Sequence, residues 1–415
     1  MPIPLDCLIL GGGIAGLWAL RTLTDAGYDA LLVETDALGH GQTIASQGIL
    51  HAGTKYALTG DASRASKAAG EAAAVWRDCL SGTGPIDLRD TNVLSRHTCM
   101  FTTPGVGSRL AGLAASKALT SLPQKLDRAA YPDAFAGAPG GVNVYQLDEP
   151  VMDLPALLTT LAAPVRDRLL RAQAVQLRWD DERSSSAASM PRPERSVIAQ
   201  LTTETGALSI SPRALICTAG AGNEALLAQL DLAAELRMQR RPLHMVLARG
   251  KLPHLYAHCV GLSDKPRATI TSAADAAGRT VWYIGGTLAE TGVDRQPAEQ
   301  IASARRELAE ILPWISLDGV KFATLRVDRA EGFDESGRRP DTPVVRAHGS
   351  VIACWPTKLV LAPLAAAGVL EQLRRSGVSP TAPASDTVPT RRTLASAPRP
   401  EPAMPIWDRD SLSWS

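Results

Sequence analysis

An α/β fold in two parts, one built on a parallel sheet and the other mainly on an antiparallel one, is what the amino-acid sequence predicts. Three observations carry it. The apolar run Leu5–Leu10 leads into Gly11-Gly12-Gly13-Ile14-Ala15-Gly16, then a helix-patterned stretch, Leu17–Ala26, and a second apolar run, Ala30–Val33. The same order of strand, glycine turn and helix returns with Ala214–Thr218, Gly220, Gly222 and the helical pattern from Glu224 onward. Between Arg237 and Leu325, by contrast, short β-like runs follow one another with a single long helical pattern, Pro297–Leu312, that Pro313 stops. Right-handed crossover makes the strands of a βαβ unit parallel in one sheet. The first two segments therefore read as a Rossmann-type domain and the third as the body of a second, mainly antiparallel-sheet domain.

The bulk composition bounds the rest. At 415 residues the chain exceeds what one hydrophobic core usually serves, so two domains are expected. The Rossmann-type domain is expected to be discontinuous, at residues 1–85, 150–232 and 345–376, with 86–149 and 233–344 forming the other. Residues 377–415, rich in Pro, Ala, Ser and Thr, read as a disordered tail. Hydrophobic residues make up 45% and charged residues 20%, and no apolar run approaches the roughly 20 residues that span a bilayer. The chain thus has no transmembrane segment and is expected to be soluble or at most peripheral. Lys plus Arg number 43 against 42 Asp plus Glu, a net charge of +1. That balance offers no basic field for a polyanion, which sets nucleic acid aside as a partner. The six cysteines are scattered, form no CxxC, and several sit in apolar runs, which reads as a reducing, cytoplasmic compartment. Met1–Asp6 has no basic stretch and leads straight into a strand, so no signal peptide is read there.

Further elements follow in order. Ala62–Trp76 is Ala-rich and helical in pattern, whereas Val93–Gly141 is broken by Pro and Gly and its elements are not legible. Val142–Leu147 reads as a strand and Leu154–Leu161 as a helix. Ala174–Trp179 and Ser196–Thr202 read as hairpin strands flanking a polar surface excursion at 181–195. His244–Ala248, Ala268–Thr271 and Val281–Ile284 are strands of the second domain, and Ser350–Cys354 is a final apolar strand before a helix that runs to Leu373.

Gly11, Gly13 and Gly16 have the G-x-G-x-x-G spacing. Each has a mechanical reason: a tight turn, close approach of backbone to a pyrophosphate, and close packing of helix on strand. Past Ile14 and Ala15, the N-terminus of the helix points its unpaired N–H groups at the phosphates. Glu34, 18 residues after Gly16 at the end of the next strand, can accept from ribose hydroxyls. The fingerprint alone fits FAD or NAD; Glu34 argues against NADP, whose 2′-phosphate it would repel.

The loop Gly41-Gln42-Thr43-Ile44-Ala45-Ser46-Gln47-Gly48-Ile49-Leu50-His51-Ala52-Gly53-Thr54-Lys55-Tyr56 moves the reading to flavin. It resembles the segment after the second strand in the D-amino-acid oxidase-like superfamily, in particular its glycerol-3-phosphate dehydrogenase and L-2-hydroxyglutarate dehydrogenase branches. Leu215–Gly222, Ile284-Gly285-Gly286-Thr287, Arg339-Pro340-Asp341-Thr342-Pro343 and Trp355–Pro363 resemble further stretches of that family, so the likeness covers residues 1 to about 375. It implies an FAD-binding domain beside a substrate domain. It implies FAD contacts from Thr43, Ala45, Ser46, Gln47 and Gly48, from Ala174 and Val175, from Ala219 and Gly220, and from Trp355, Pro356, Thr357 and Lys358. The family's last flavin loop is commonly glycine-rich, and this one is not. Some relatives in the wider superfamily attach flavin through a histidine.

Oxidising a C–H beside an OH or NH requires a hydride donor held over the flavin, a group for the heteroatom proton and a cation for an anionic substrate end. His51 fits the base, since the unperturbed pKa of a histidine lies near neutrality and the resemblance places it beside the ring. Arg339 and, behind it, Arg326 are candidates for the cation because a guanidinium forks onto a carboxylate or phosphate. Lys358 can stabilise negative charge on reduced flavin. His254 and His258 form an HxxxH with no accompanying Glu, so no metal is expected. The expected activity is an FAD-dependent oxidoreductase acting on a small 2-hydroxy acid or glycerol-3-phosphate-like substrate and passing electrons to oxygen, a quinone or a carrier protein. Amine or amino-acid oxidation is the alternative enzyme, and a non-catalytic FAD-binding module the alternative from another class.

Overall fold

A computed structural model describes residues 2–52, 64–103, 124–180, 196–261, 265–381 and 397–415. The 181–195 excursion and residues 53–56 of the flavin loop lie outside them. Strand Ile3–Leu10 is buried from Leu5 to Leu10, because it is central and covered on both faces. It pairs in parallel with Ala30–Glu34 on one side and with Gly206–Cys217 on the other. The six-strand path runs Val344–His348, Val351–Trp355, Gly206–Cys217, Ile3–Leu10, Ala30–Glu34, Leu169–Arg171. The chain leaves the central strand to one side through helix Ile14–Asp25 and comes back on the other side much later, so a crevice opens at the strand ends between them. Ala174–Trp179 and Val197–Thr203 pair antiparallel with each other, and the latter with Gly206–Cys217, as the hairpin reading expects.

The second sheet runs Lys321–Gly332, Met238–Gly250, Thr280–Gly285, Pro266–Ala274, Ala257–Val260, Thr98–Thr102, Asn143–Leu147, Gln124–Lys125. Its pairs are antiparallel except Ala257–Val260 beside Thr98–Thr102. The period-2 alternation divides it cleanly. Val246, Ala248, Trp282, Ile284 and Phe322 pack with Leu308 and Ile311 of helix Pro297–Ile311. Met245, Leu247, Val281 and Tyr283 face the other way, into a core shared with Trp18, Leu50 and Ile352 of the first sheet's layer. The second sheet is thus a wall whose inner face closes on the first sheet's loops. Its Thr98–Thr102 strand comes from the stretch that periodicity left unread.

Helix Ile14–Asp25 carries buried Leu17, Trp18, Leu20 and Leu23. Trp18 stacks at 4.5 Å between ring centroids on Trp76 of helix Arg64–Ser81. Asp6, a carboxylate inside the central strand, is satisfied by the amides of Asp29 and Thr381, the Thr381 hydroxyl and the Arg213 guanidinium. Burial raises its pKa, but those bonds outweigh burial and hold it below the usual carboxylate value. All six cysteines are buried free thiols. Among the described residues no helix is long and apolar enough to cross a membrane.

The tail departs from expectation. Residues 397–415, read as disordered, lie packed on both sheets. Leu38 exchanges backbone hydrogen bonds with Glu401 and Ala403, and Phe322 exchanges them with Ser415. Ala397, Ala403 and Ile406 are buried, and the Arg249 guanidinium lies 3.9 Å over the Trp414 ring. Average composition hides this, since a Pro-rich chain is already extended and needs few apolar anchors to dock by its backbone. Ile406→Ala should cost about 2–5 kcal/mol, as for other fully buried Ile truncations. A urea unfolding midpoint equal to that of the wild type would show that the tail carries no such load.

Candidate active site

Two glycine turns meet at the strand ends. Gly11 has φ of +107°, and a Cβ there would stand 2.5 Å from Ala219 Cα. A Cβ on Gly16 would stand 2.0 Å from Gly11 O, so the helix can seat on the turn only through glycine. The N-cap, Gly13, brings no side chain to the first turn, and that turn holds no acidic residue. It is a helix start shaped for an anion. Glu34, half-buried, accepts the Gly12 amide at 2.6 Å and those of Thr35 and Asp36 at 2.7 and 3.0 Å, which fixes its carboxylate at the rim. Ala174 and Val175 follow Ala172, whose amide donates to Glu34 O, so the hairpin strand begins beside that rim.

The second turn is organised by residues the sequence reading missed. Thr218 Oγ1 donates toward Leu10 O and Gly11 O. Asn223, fully buried, accepts the Ala219 amide at 2.7 Å and donates to Cys217 O at 3.1 Å. An Asn directly after a glycine turn is a cap signal that was there to be read. Trp355 was expected on the cofactor, but its ring is buried in the core and its indole N–H donates to Gly220 O at 3.1 Å. Its place is behind the turn.

The loop from Gly41 bridges the sheets. Thr43 Oγ1 accepts the Ile14 amide at 3.0 Å. Ala45 O accepts the Tyr283 hydroxyl at 2.9 Å, and Ser46 Oγ accepts the Gly48 amide at 3.3 Å. Gly48 has φ of +71°, and a Cβ there would stand 2.5 Å from Met152 O. The Gln47 amide nitrogen donates to Thr269 O at 2.9 Å and Tyr283 O at 2.8 Å, which turns the side chain into the second sheet. Opposite lies the turn Pro356-Thr357-Lys358, where Lys358 N–H donates to Pro356 O at 2.7 Å. Thr357 takes φ of +62°, the conformation a glycine-rich loop would adopt, and its buried hydroxyl has no hydrogen-bond partner among the described residues. A β-branched residue held there is strained, and strain of this kind collects at binding sites. The glycine cradle, the bare helix start and this orphaned hydroxyl fit a bound dinucleotide.

His51 ends the loop and meets two groups that no motif announced. Its Nδ1 lies 3.1 Å from Glu149 Oε2, and Glu149 Oε1 accepts the Ala52 amide at 3.1 Å. His258, from strand Ala257–Val260, places Nε2 3.6 Å from the same Oε2 and Nδ1 2.9 Å from Thr269 Oγ1. The imidazole centroids are 5.6 Å apart. Burial raises the Glu149 pKa, but the charge and hydrogen bond of His51 and the approach of His258 outweigh it and hold the carboxyl well below the usual range. His254 is exposed and takes no part. The three ligating atoms lie within 4.8 Å of one another, close enough to serve a metal ion as well as a proton.

The arginines rearrange the expectation. Arg326 is exposed, and its guanidinium bonds Val293 O and Arg295 O, on the strand face opposite Val327. Arg329 and Arg241 stand opposite each other in neighbouring strands, in the period-2 set of Met245 and Val327, which face the shared core. Burial first, then the charge of Arg241, lowers the Arg329 pKa against the pull of Glu331 and Glu290, and Arg339 adds a further positive charge. With Lys265 on Glu290, four cations surround two carboxylates among the described residues.

Gly16→Ala should abolish the dinucleotide seat, whereas Gly41→Ala, with nothing within 4 Å of its Cβ, should leave it intact. The ratio of flavin to protein absorbance in the two purified variants checks this; equal ratios would remove the close approach as a requirement.

The profile of the DAO family, FAD dependent oxidoreductase, matches residues 6–367. "Probable FAD-dependent oxidoreductase PA4991" of Pseudomonas aeruginosa is 41% identical over 405 residues, covering 97% of each chain. Its crystal structure superposes with a TM-score of 0.80 over 98% of both chains, at 37% identity. Glycine oxidase from Geobacillus kaustophilus (TM-score 0.60, 16% identity, 91% of this chain and 99% of that one) shares the fold. So does L-α-glycerophosphate oxidase from Mycoplasma pneumoniae with FAD bound (0.59, 13%, 89% and 95%). The flavin expected from the fingerprint and loop is thereby the cofactor, and the chain belongs to the DAO family of FAD-dependent oxidoreductases.

Proposed function

We propose that this oxidoreductase acts on a small anionic 2-hydroxy acid or glycerol-3-phosphate-like substrate, with His51 taking the hydroxyl proton as hydride leaves the adjoining carbon. The carrying observation is the pairing of His51 with a fully buried carboxylate. An alcohol proton is too weakly acidic to leave unaided, so its oxidation needs a placed base, whereas a neutral amine pushes hydride out with its own lone pair. A carboxylate-backed imidazole therefore favours the hydroxyl. When bound, FAD supplies the hydride acceptor.

The residues divide the remaining work. The amides after Gly13 and the turn at Ala219 and Gly220 hold the pyrophosphate, Glu34 the ribose, and Thr43, Ala45 and Ser46 the edge of the loop, with Gly48 setting its bend. Thr357, between Pro356 and Lys358, offers its hydroxyl from the opposite side, and Lys358 is the cation for the reduced ring. Arg329 and Arg241, joined by Arg339, provide the positive field for the substrate's anionic end. On this reading the substrate domain contributes His258, Arg241 and Arg329.

Amine oxidation is the second reading, supported by relatives of this fold that include glycine oxidase and iminodiacetate oxidase. Anaerobic mixing with lactate, 2-hydroxyglutarate, glycerol 3-phosphate, glycine, sarcosine and proline, read at the flavin band near roughly 450 nm, separates the two. Bleaching by a hydroxy compound, slowed about 10²–10⁴-fold in His51→Asn, is the expected result. Bleaching by amines alone, at a rate His51→Asn leaves unchanged, overturns it. Reoxidation by air or by a quinone then identifies the electron acceptor.

A further inference from the structure

We infer that Glu149 is the positioning residue of this site and that it locks His51 and His258 in opposite tautomers. Glu149 is fully buried, and its Oε2 faces both rings, His51 through Nδ1 at 3.1 Å and His258 through Nε2 at 3.6 Å. A ring nitrogen presenting a lone pair would be repelled by a carboxylate at these distances, and a ring N–H is attracted. His51 therefore carries its proton on Nδ1, and His258 carries its own on Nε2.

The hydrogen-bond accounting agrees. Among the described residues His258 Nε2 is buried with no hydrogen-bond partner, and Glu149 is the acceptor its proton faces. Its other nitrogen, Nδ1, accepts the Thr269 hydroxyl at 2.9 Å, which fixes the ring from behind. The Ala52 amide occupies Oε1 at 3.1 Å and ties the carboxylate to the His51 loop itself. The other charged groups nearby, Asp148 with Arg77 and His97, pair on the exposed side at 3.8 and 4.0 Å. Glu149 is thus the anion that both imidazoles face.

The consequence for chemistry rests on the hydroxyl reading above. With Nδ1–H held by Glu149, Nε2 is the basic atom of His51. As the substrate O–H breaks, the proton passes to Nε2, the carbonyl forms, and the hydride goes to flavin. The resulting imidazolium stands against a buried anion, which stabilises it without rearrangement. His258 holds the far side of that anion and keeps it from turning away.

Histidine ¹⁵N NMR of the FAD-loaded protein, at a pH where both rings are neutral, tests the tautomers with no substrate needed. His51 is expected as the Nδ1–H form and His258 as the Nε2–H form, with His258→Asn assigning the two signals and Glu149→Gln erasing the preference. Turnover with whichever compound bleaches the flavin tests the consequence. Glu149→Gln should lower kcat about 10²–10⁴-fold with little change in KM. It should also move the acid limb of kcat/KM to lower pH, because losing the anion makes His51 less basic, and Glu149→Asp should recover part of the rate. The inference is overturned by a His51 Nε2–H form in the wild type, or by a Glu149→Gln variant with wild-type FAD content and pH profile. An equivalent of zinc retained by the wild type and lost in Glu149→Gln also overturns it, since the three side chains would then be metal ligands. Should no compound reduce the flavin, the hydroxyl reading fails, and the NMR result still decides the role of Glu149.

Discussion

Everything in this molecule hangs on the contact between two glycine turns, where the loop after strand Ile3–Leu10 lies against the loop after strand Gly206–Cys217. A Cβ at Gly11 would stand 2.5 Å from Ala219 Cα, so one ordinary side chain there would drive the two parallel strands apart. Seven Cα pairs, from Ile3↔Ile210 to Leu10↔Cys217, hold the strands in register up to that point. Because their connections leave in opposite directions, the crevice is unavoidable: it is the one place where neither crossover helix covers the strand ends. The cofactor seat is a consequence of topology, and the glycines are what let the topology close.

The side of the crevice that carries His51 is built by the loop that follows the second strand. Gln42 Oε1 accepts the Ala330 amide at 2.9 Å, Gln47 spans two strands of the second sheet, and the Tyr283 hydroxyl reaches back to Ala45 O. These polar bonds run beside the apolar core that Met245, Leu247, Val281 and Tyr283 share with Trp18, Leu50 and Ile352, and tie the loop to the second sheet. The loop therefore reaches His51 with its direction fixed from both sheets. There Glu149, arriving from the end of strand Asn143–Leu147, and His258, from strand Ala257–Val260, meet it. Buried charge of this kind is costly unless fully bonded, and the two imidazoles and an amide explain why Glu149 stays ionised.

The tail adds a second tie between the sheets. Glu401 and Ala403 bond to Leu38, whose side chain lies against Gly12, while Ser415 adds to the edge of strand Lys321–Gly332. One short segment thus braces the nucleotide rim at one end and the substrate sheet at the other. It does so mostly by backbone hydrogen bonds, which its composition could not announce.

Apart from the loop to His51, which only its family resemblance singled out, what the sequence by itself determined is whatever short-range periodicity and glycine mechanics can dictate: the central strand, the turn Gly11–Gly16, the helix that follows it, the hairpin strands flanking residues 181–195, and the strand alternation of the second sheet. Those features depend on residues within about one element of each other, where steric rules act directly. The tertiary structure alone decided the partners. Glu149 stands 98 positions from His51, and His258 another 109 beyond that. No spacing encodes their meeting, which follows from sheet order. The same holds for Arg326 and Arg329: a shift of three residues along a strand turns a side chain to the opposite face, and only the register shows which face looks inward. Local chemistry wrote the glycine turns into the chain, and long-range pairing chose the groups that meet at His51.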